Sequence, residues 1–322
     1  MMRLLKSVSL VLALACLCHP AVAQTYPNRP VRLVVPFPAG GPTDIVARLV
    51  ADQLAKTWGQ AVVVDNRSGA SGMIGAEFAA KSAADGHTIL MGTLVTNVMA
   101  HLLFSKVPFA QDAFAPVTLL TTTSNMLLAN ASIPVATLPE LIAYAKANPG
   151  KVSYSSAGVG LSGHLGMVLF ASAAGLDLLH VPFRGSAPAT QAFQAEQVNL
   201  TLELVPSAVT AVQKAGVIPL AVAAAARVRQ FPNVPTFAEL GYKDVQAYTW
   251  NGLMVPAGTP REVVDAIQRG ANAALNAPAV RERINSLGID SIGGTPEEFA
   301  ELIRLERERW GPVIKRANVR TD

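Results

Sequence analysis

Val31-Arg32-Leu33-Val34-Val35, then Pro36-Phe37-Pro38-Ala39-Gly40-Gly41-Pro42, then Thr43 to Trp58, is the stretch that decides the fold. An apolar β-branched run, a Pro/Gly turn and a segment with Ile45, Leu49 and Leu54 towards one side read as strand, turn and helix. The unit then repeats. Ala61-Val62-Val63-Val64 begins a second strand, Asn66 to Gly72 is a glycine-rich loop, Met73 to Ala84 a helix, and Thr88 to Met91 a third strand. The alternation returns after residue 125, with strands near Val152-Ser156, Leu178-Val181, Val198-Glu203 and Leu220-Ala223. Such alternation predicts an α/β fold of doubly wound, mainly parallel sheets.

Four helix starts carry threonine followed three residues later by glutamate: Thr137/Glu140, Thr236/Glu239, Thr259/Glu262 and Thr295/Glu298. In this capping box each side chain satisfies a backbone N–H of the helix start. After a strand at Gly252 to Val255 the chain reads as helix almost throughout, from Pro260 to about Arg316. The expected organisation is two lobes, 24–124 plus 248–322 and 125–247. Two chain crossings, near residues 120–128 and 244–252, would form a hinge between them.

The first 23 residues are a different object. Arg3 and Lys6 precede the apolar run Val8 to Cys18, which ends before Ala21-Val22-Ala23, the layout of a secretory signal peptide. Cleavage after Ala23 would leave 322 − 23 = 299 residues, a size that suits two domains. It would also reduce Lys+Arg from 26 to 24 against 22 Asp+Glu. With 51% hydrophobic and 15% charged residues, global disorder is excluded, and the scattered basic residues give no nucleic-acid face. Cys16 and Cys18 both lie in the signal, so disulfides, thiol catalysis and cysteine metal sites are excluded from the mature chain. Ala13 and Leu14 make Cys16 a poor lipidation site. Gly86 to Ser105 and Ala113 to Pro139 are free of charge, but polar residues and prolines interrupt both, so neither is a membrane span. The expectation is a soluble exported monomer in the periplasm.

Catalytic motifs are weak. Gly158-Val159-Gly160-Leu161-Ser162-Gly163 matches a dinucleotide fingerprint, but the next strand ends in Val181-Pro182-Phe183-Arg184 without the acidic residue that holds a ribose. Gly160-Leu161-Ser162-Gly163-His164 fails the serine hydrolase elbow, since His164 stands at its final glycine. His87, His101, His164 and His180 show no metal-ligand spacing. What remains is two glycine-rich loops, Ala39 to Asp44 and Gly158 to His164, one per lobe at equivalent positions. Each opens directly into a helix whose unpaired N–H groups suit an anion such as a carboxylate. No enzyme activity and no cofactor is expected. An exported hydrolase using Ser162 and His164 is the rival reading.

Tyr26-Pro27-Asn28-Arg29-Pro30-Val31-Arg32, Val35 to Asp44, Asn66 to Gly75, Asp85 to Thr93, Ser155 to Gly160, His180 to Ala189 and Pro256 to Pro260 resemble, in order, the motifs of the Bug family. These are extracytoplasmic solute receptors of tripartite tricarboxylate transporters. The resemblance runs from Tyr26 to about Trp310. It implies a periplasmic binding protein-like fold that closes on a small organic carboxylate and presents it to transporter subunits in the membrane. A carboxylate receptor feeding a sensor is the alternative within that fold.

Carried over by motif, Ala39, Gly40, Gly41, Thr43 and Asp44 form the first anion loop, with Asp44 suited to capping. Thr93, Thr96 and Asn97 line the same wall, and Gly160, Ser162 and His164 form the second loop. Arg184 follows the fourth of these motif strands, and Trp250 at the return crossing is placed to cover the ligand. Three departures from the family pattern stand out: Leu161 for serine, Ala100-His101 for Asn-Pro, and Glu203 for aspartate. Glu203 would meet the far end of a ligand and select a shorter or cationic-ended one; otherwise it marks a solvated strand end.

Overall fold

The computed structural model describes residues 26–183, 185–316 and 319. The signal segment 1–23 therefore lies outside the described residues. Strand β1, Val31–Val35, leads into helix α1, Pro42–Trp58; β2 is Val62–Asn66, α2 Met73–Ala80 and β3 Thr88–Thr93. A π-helical turn, Val95–Met99, continues into α3, Ala100–Leu103. A long strand β4, Phe114–Ala129, is followed by α4 (Leu138–Ala147), β5 (Ser153–Ser156), α5 (Ser162–Ala174), β6 (Leu179–Pro182) and α6 (Ser186–Gln194). Then come β7 (Leu200–Leu204), α7 (Val205–Ala211), β8 (Ile218–Val222) and β9 (Tyr248–Pro256). The chain closes with α8 (Arg261–Asn276), α9 (Pro278–Ser286), the short β10 (Asp290–Ser291) and α10 (Pro296–Arg316).

The strands form two sheets of the same plan. The first runs β2-β1-β3-β9-β4 and the second β6-β5-β7-β4-β8, so β4 belongs to both. Up to Ser124 it pairs with β9; from Asn125 onward it pairs with β7 and β8. The sheets are mixed, which corrects the mainly parallel expectation. β1 and β5 are flanked by parallel neighbours, whereas β9 and β4 enter antiparallel. β4 escapes a sequence reading because Pro116 and the Thr121-to-Asn125 run look like interruptions. The pairing register shifts between Pro116 and Thr118, an irregularity where a proline is tolerated in a strand.

Strand alternation places a core on each side of both sheets. Val31, Leu33 and Val35 face α1, α8 and α9, while Val34 faces the opposite cluster, with Leu90, Met254, Trp310 and Ile314. In the second sheet, Leu127, Leu200 and Leu202 pack with α4 and α5 residues, and Met126 and Leu128 with α6 and α7 residues. The buried stripe of α1 is Val46, Ala47, Val50, Ala51 and Leu54, turned by one residue from the expected face, since Ile45 and Leu49 are only half-buried.

The capping boxes behave unequally. Thr295 and Glu298 exchange both expected bonds at the start of α10. Thr137 caps α4, with Glu140 reaching back to the Ala136 amide instead of to Thr137. Thr236 and Glu239 close the same box on a turn that does not become a helix. The Thr259 hydroxyl turns back to the Pro256 carbonyl, so α8 starts without it.

Candidate functional site

Both loops singled out in the sequence follow the strand flanked by parallel neighbours in its sheet, β1 or β5, and end at a helix N-terminus. Their backbones coincide in kind: Gly40 and Gly160 have φ +83° and +79°. The next residues, Gly41 and Leu161, are extended N-caps at φ −76° in both cases. A side chain four residues after each glycine then reaches back for its amide. Gly40 N–H donates to Asp44 Oδ2 at 2.8 Å, and Gly160 N–H donates to His164 Nδ1 at 3.0 Å. Neither N-cap has a capping side chain, so the first-turn amides of α1 and α5 have no intrahelical partner. Pro42 at the first position of α1 has no N–H to offer, whereas Ser162 at the first position of α5 keeps both an amide and a hydroxyl.

Asp44 is buried and its carboxylate is fully engaged. Besides Gly40 it accepts from Arg48 Nε at 2.9 Å and Asn66 Nδ2 at 2.9 Å, and Asn66 also donates to the Phe37 carbonyl. Burial raises the Asp44 pKa, but hydrogen bonds from Arg48, Gly40 and Asn66 outweigh it and hold the group below the usual carboxylate range. Asp44 therefore braces the loop from behind rather than facing an anion. Gly40, expected as a donor to ligand, spends its amide on that brace. Ala39 and Gly40 stand exposed, and Gly41 and Thr43 are half-buried.

The second loop is braced by uncharged chemistry. His164 stacks on His180 at 4.0 Å between centroids and 15° between planes, and Tyr154 stacks on His180 at 4.8 Å. Ser156 Oγ lies 2.7 Å from His180 Nε2. Burial, together with the neighbouring His180, lowers the His164 pKa to about 3, and burial lowers that of His180 to about 4. Both rings are neutral at pH 7, and His164 Nδ1 must be an acceptor because it receives the Gly160 N–H. His164, like Gly160, thus shapes the loop. It makes no hydrogen bond to Ser162 among the described residues, so the serine–histidine pair of a hydrolase is not assembled.

Thr93, Thr96 and Asn97 are brought together at the end of β3, but they face one another. Thr96 Oγ1 donates to Asn97 Oδ1 at 2.7 Å, and the Thr93 amide reaches Thr96 Oγ1 at 3.1 Å and Asn97 Oδ1 at 3.2 Å. Thr96 is fully buried, and its hydroxyl tightens the π-helical turn. Trp250 is likewise 0% exposed and packs edge-on against Phe299 at 5.1 Å in the core beside β9. Arg184 lies outside the described residues.

Glu203 is not on a solvated strand end. It is 5% exposed and accepts from Thr190 Oγ1 at 3.1 Å and Thr201 Oγ1 at 3.4 Å. Burial pushes its pKa up, and the two threonines only partly offset this. Residues the sequence did not flag stand near the switch of β4 between sheets. Asn125 Nδ2, Ser155 Oγ and Asn251 Oδ1 are buried without a hydrogen-bond partner among the described residues, and Asn251 pairs in register with Thr93. Strand asparagines and serines carry no motif, and only the register makes them visible.

Gly163, the last glycine of the apparent dinucleotide fingerprint, has a packing reason. A Cβ there would lie 2.5 Å from the Leu202 carbonyl oxygen, so the glycine lets α5 approach β7. Among the described residues no His, Cys, Asp or Glu cluster could hold a metal, and no helix is long and apolar enough to cross a membrane.

Residues 46–319 match the family described as the tripartite tricarboxylate transporter family receptor. BugT of Bordetella pertussis is 35% identical over 317 residues, covering 98% of this chain and 97% of that protein. The structure of R. palustris Rpa4515 with adipate superimposes with a TM-score of 0.82 at 33% identity, covering 92% of this chain and 99% of that one. MatC from Rhodopseudomonas palustris with bound malate gives 0.77 at 35% identity, covering 90% and 100%. The matched family is one of receptors, not enzymes, and the two solved relatives share the α/β fold described above. The chain belongs to the Bug family of solute-binding receptors, the receptor family of tripartite tricarboxylate transporters.

Proposed function

We propose that this chain, exported and cleaved after Ala23, captures a small organic carboxylate between two lobes in the periplasm and presents it, as a monomer, to a tripartite tricarboxylate-type transporter. The lobes are residues 24–124 with 248–322, and residues 125–247. The partner switch of β4 at Ser124/Asn125 and the start of β9 at Tyr248 support those boundaries. Continuous strands that pass between sheets are suited to hinge bending around a ligand.

The observation that carries this reading is the pair of matched loops. Each presents the N-terminus of a helix of more than three turns, and each is braced by a side chain that takes up the glycine amide and leaves the first-turn helix amides without a capping side chain. A helix N-terminus contributes about 0.3–2 kcal/mol towards a nearby anion. Charge-assisted bonds from the loop amides and the Ser162 hydroxyl add about 1.5–3 kcal/mol each. Such a site takes up a carboxylate at each lobe without a cationic clamp, which points to aliphatic dicarboxylates as the first class. Relatives that hold adipate and malate support the same class.

Calorimetric titration of the mature protein, freed of carried-over ligand by unfolding and refolding, tests the reading. Dicarboxylates should bind with micromolar or tighter affinity, about −8 kcal/mol. Binding of neutral or cationic solutes alone would overturn it.

A further inference from the structure

Gly40 and Gly160 share a backbone conformation and a brace, but not their surroundings. A Cβ at Gly40 would meet nothing within 4 Å. A Cβ at Gly160 would overlap Leu103 Cδ1, with Leu103 Cγ and Cδ2 each 3.3 Å away. Leu103 is the last residue of α3 and reaches out from the first lobe onto the loop of the second. An added Cβ would have to displace the tip of this side chain within a buried setting. Leu103 is 6% exposed and belongs to one apolar cluster with Met99, Ala100 and Leu165, against which Val159 packs. Leu165 and Val159 come from the second lobe, so this cluster is itself built across the lobes.

We propose that Leu103 seated on Gly160 is the contact that sets how closely the two anion loops approach, and hence which ligand length the receptor accepts. The inference rests on the two-lobe carboxylate reading and adds to it a specificity-determining pair that touches no ligand. Glycine at 160 answers to two demands. The positive φ is one, common to Gly40; the side chain arriving from the other lobe is the second and is peculiar to Gly160. Any added bulk at 103 or 160 holds the loops apart and shifts preference from shorter to longer dicarboxylates.

A double-mutant cycle separates the two demands, because the cost of placing alanine at positive φ is the same in both backgrounds and cancels. Affinities for succinate and adipate are measured by calorimetry on the wild type, Leu103→Ala, Gly160→Ala and the double variant. Gly160→Ala should weaken succinate binding roughly tenfold or more in the wild-type background, and markedly less once Leu103 is alanine. Adipate should lose less than succinate. Gly40→Ala should show no such coupling to Leu103→Ala. Equal penalties in the two backgrounds would overturn the proposal. Leu103→Phe adds the bulk from the other side with Gly160 intact and should reproduce the shift if Gly160→Ala does not fold.

Should the wild type bind neither acid, the carboxylate reading fails, and the contact is still measurable. Spin labels on Lys106→Cys and Ser172→Cys, both exposed positions in a chain whose only native cysteines are Cys16 and Cys18, report the distance between lobes. In ligand-free protein Gly160→Ala should lengthen that distance and Leu103→Ala should restore it. A distance unmoved by Gly160→Ala would remove Leu103 as the stop.

Discussion

The two loops are built to one backbone plan and braced by opposite chemistry. In the first, the anion Asp44 holds the Gly40 amide and is itself held by hydrogen bonds from Arg48 and Asn66. In the second, neutral His164 holds the Gly160 amide from within a stack of aromatic rings. What is common to both is a positive-φ glycine with a hydrogen-bond acceptor four residues later; the acceptor's charge is free to vary. The difference bears on which loop of the proposed site would attract an anion more strongly. The Asp44 carboxylate behind the first loop, only partly offset by the half-exposed Arg48, subtracts from that loop's attraction for an anion, whereas the second loop bears no such charge and offers at its first helical position the Ser162 amide that Pro42 lacks.

The comparison breaks most visibly if the first brace is removed. Asp44→Ala leaves the Gly40 amide without its acceptor and takes one acceptor each from Arg48, which keeps Asn66 Oδ1, and from Asn66, which keeps the Phe37 carbonyl. Arg48 is half exposed, so water recovers part of the loss. Urea unfolding should still show a loss of about 2–4 kcal/mol. Asp44→Asn, which keeps one acceptor oxygen but gives up the charge, should fall between the variant and the wild type. A change below about 1 kcal/mol for Asp44→Ala would mean that the loop is shaped by its prolines and not by this network.

Acid should separate the loops next. His164 has a folded pKa of about 3 against an ordinary value of 6.5. Between those values the unfolded chain binds more protons than the folded one, so stability falls as pH drops below 6.5. By pH 5 the loss through His164 is about 2 kcal/mol, and His180, lowered to about 4, acts in the same direction. Asp44 contributes nothing in this window. Its folded pKa lies below the usual carboxylate range, so its stabilisation is present above its unfolded value and is lost only as pH falls through the folded one. Urea midpoints at pH 7 and pH 5 should therefore differ in the wild type and differ by about half as much in His164→Gln, where His180 still titrates. An equal pH dependence in that variant would show that the buried imidazole is not the titrating group.

How far this was legible in the sequence follows from which signals are local. β1, its Pro/Gly turn and α1 were readable because each rests on neighbours in the chain. The two loops were recognisable as equivalent from glycine and hydroxyl content alone. β4 was not, because its continuity depends on pairing with β9, β7 and β8, and no periodicity survives sixteen residues that change sheet midway. The site residues divide in the same way. Asp44 was readable as a structural group, since a carboxylate in a first helical turn has an evident local use. The burial of Trp250, Thr96 and Glu203 was not readable, because it is decided by what arrives from elsewhere: Phe299, the π-helical turn and Thr190. Leu103 was invisible for the same reason, being one more apolar residue until the opposite loop lies on it.

The smallest expected effect tests the extra donors of the second loop. Ser162 and Pro42 occupy the same place, the first position of their helices, and differ in what they can donate. Ser162→Ala removes only the hydroxyl and keeps the amide; Ser162→Pro removes both while suiting the same helical position. Neither change opens a cavity, since Ser162 is half-buried, so the urea midpoint should stay within about 0.5 kcal/mol of the wild type. Dicarboxylate affinity should fall about three- to tenfold for Ser162→Ala, the worth of one hydrogen bond, and further for Ser162→Pro. If Ser162→Pro binds as the wild type does, the second loop holds its anion no better than the first. The asymmetry between the loops would then lie in their braces alone.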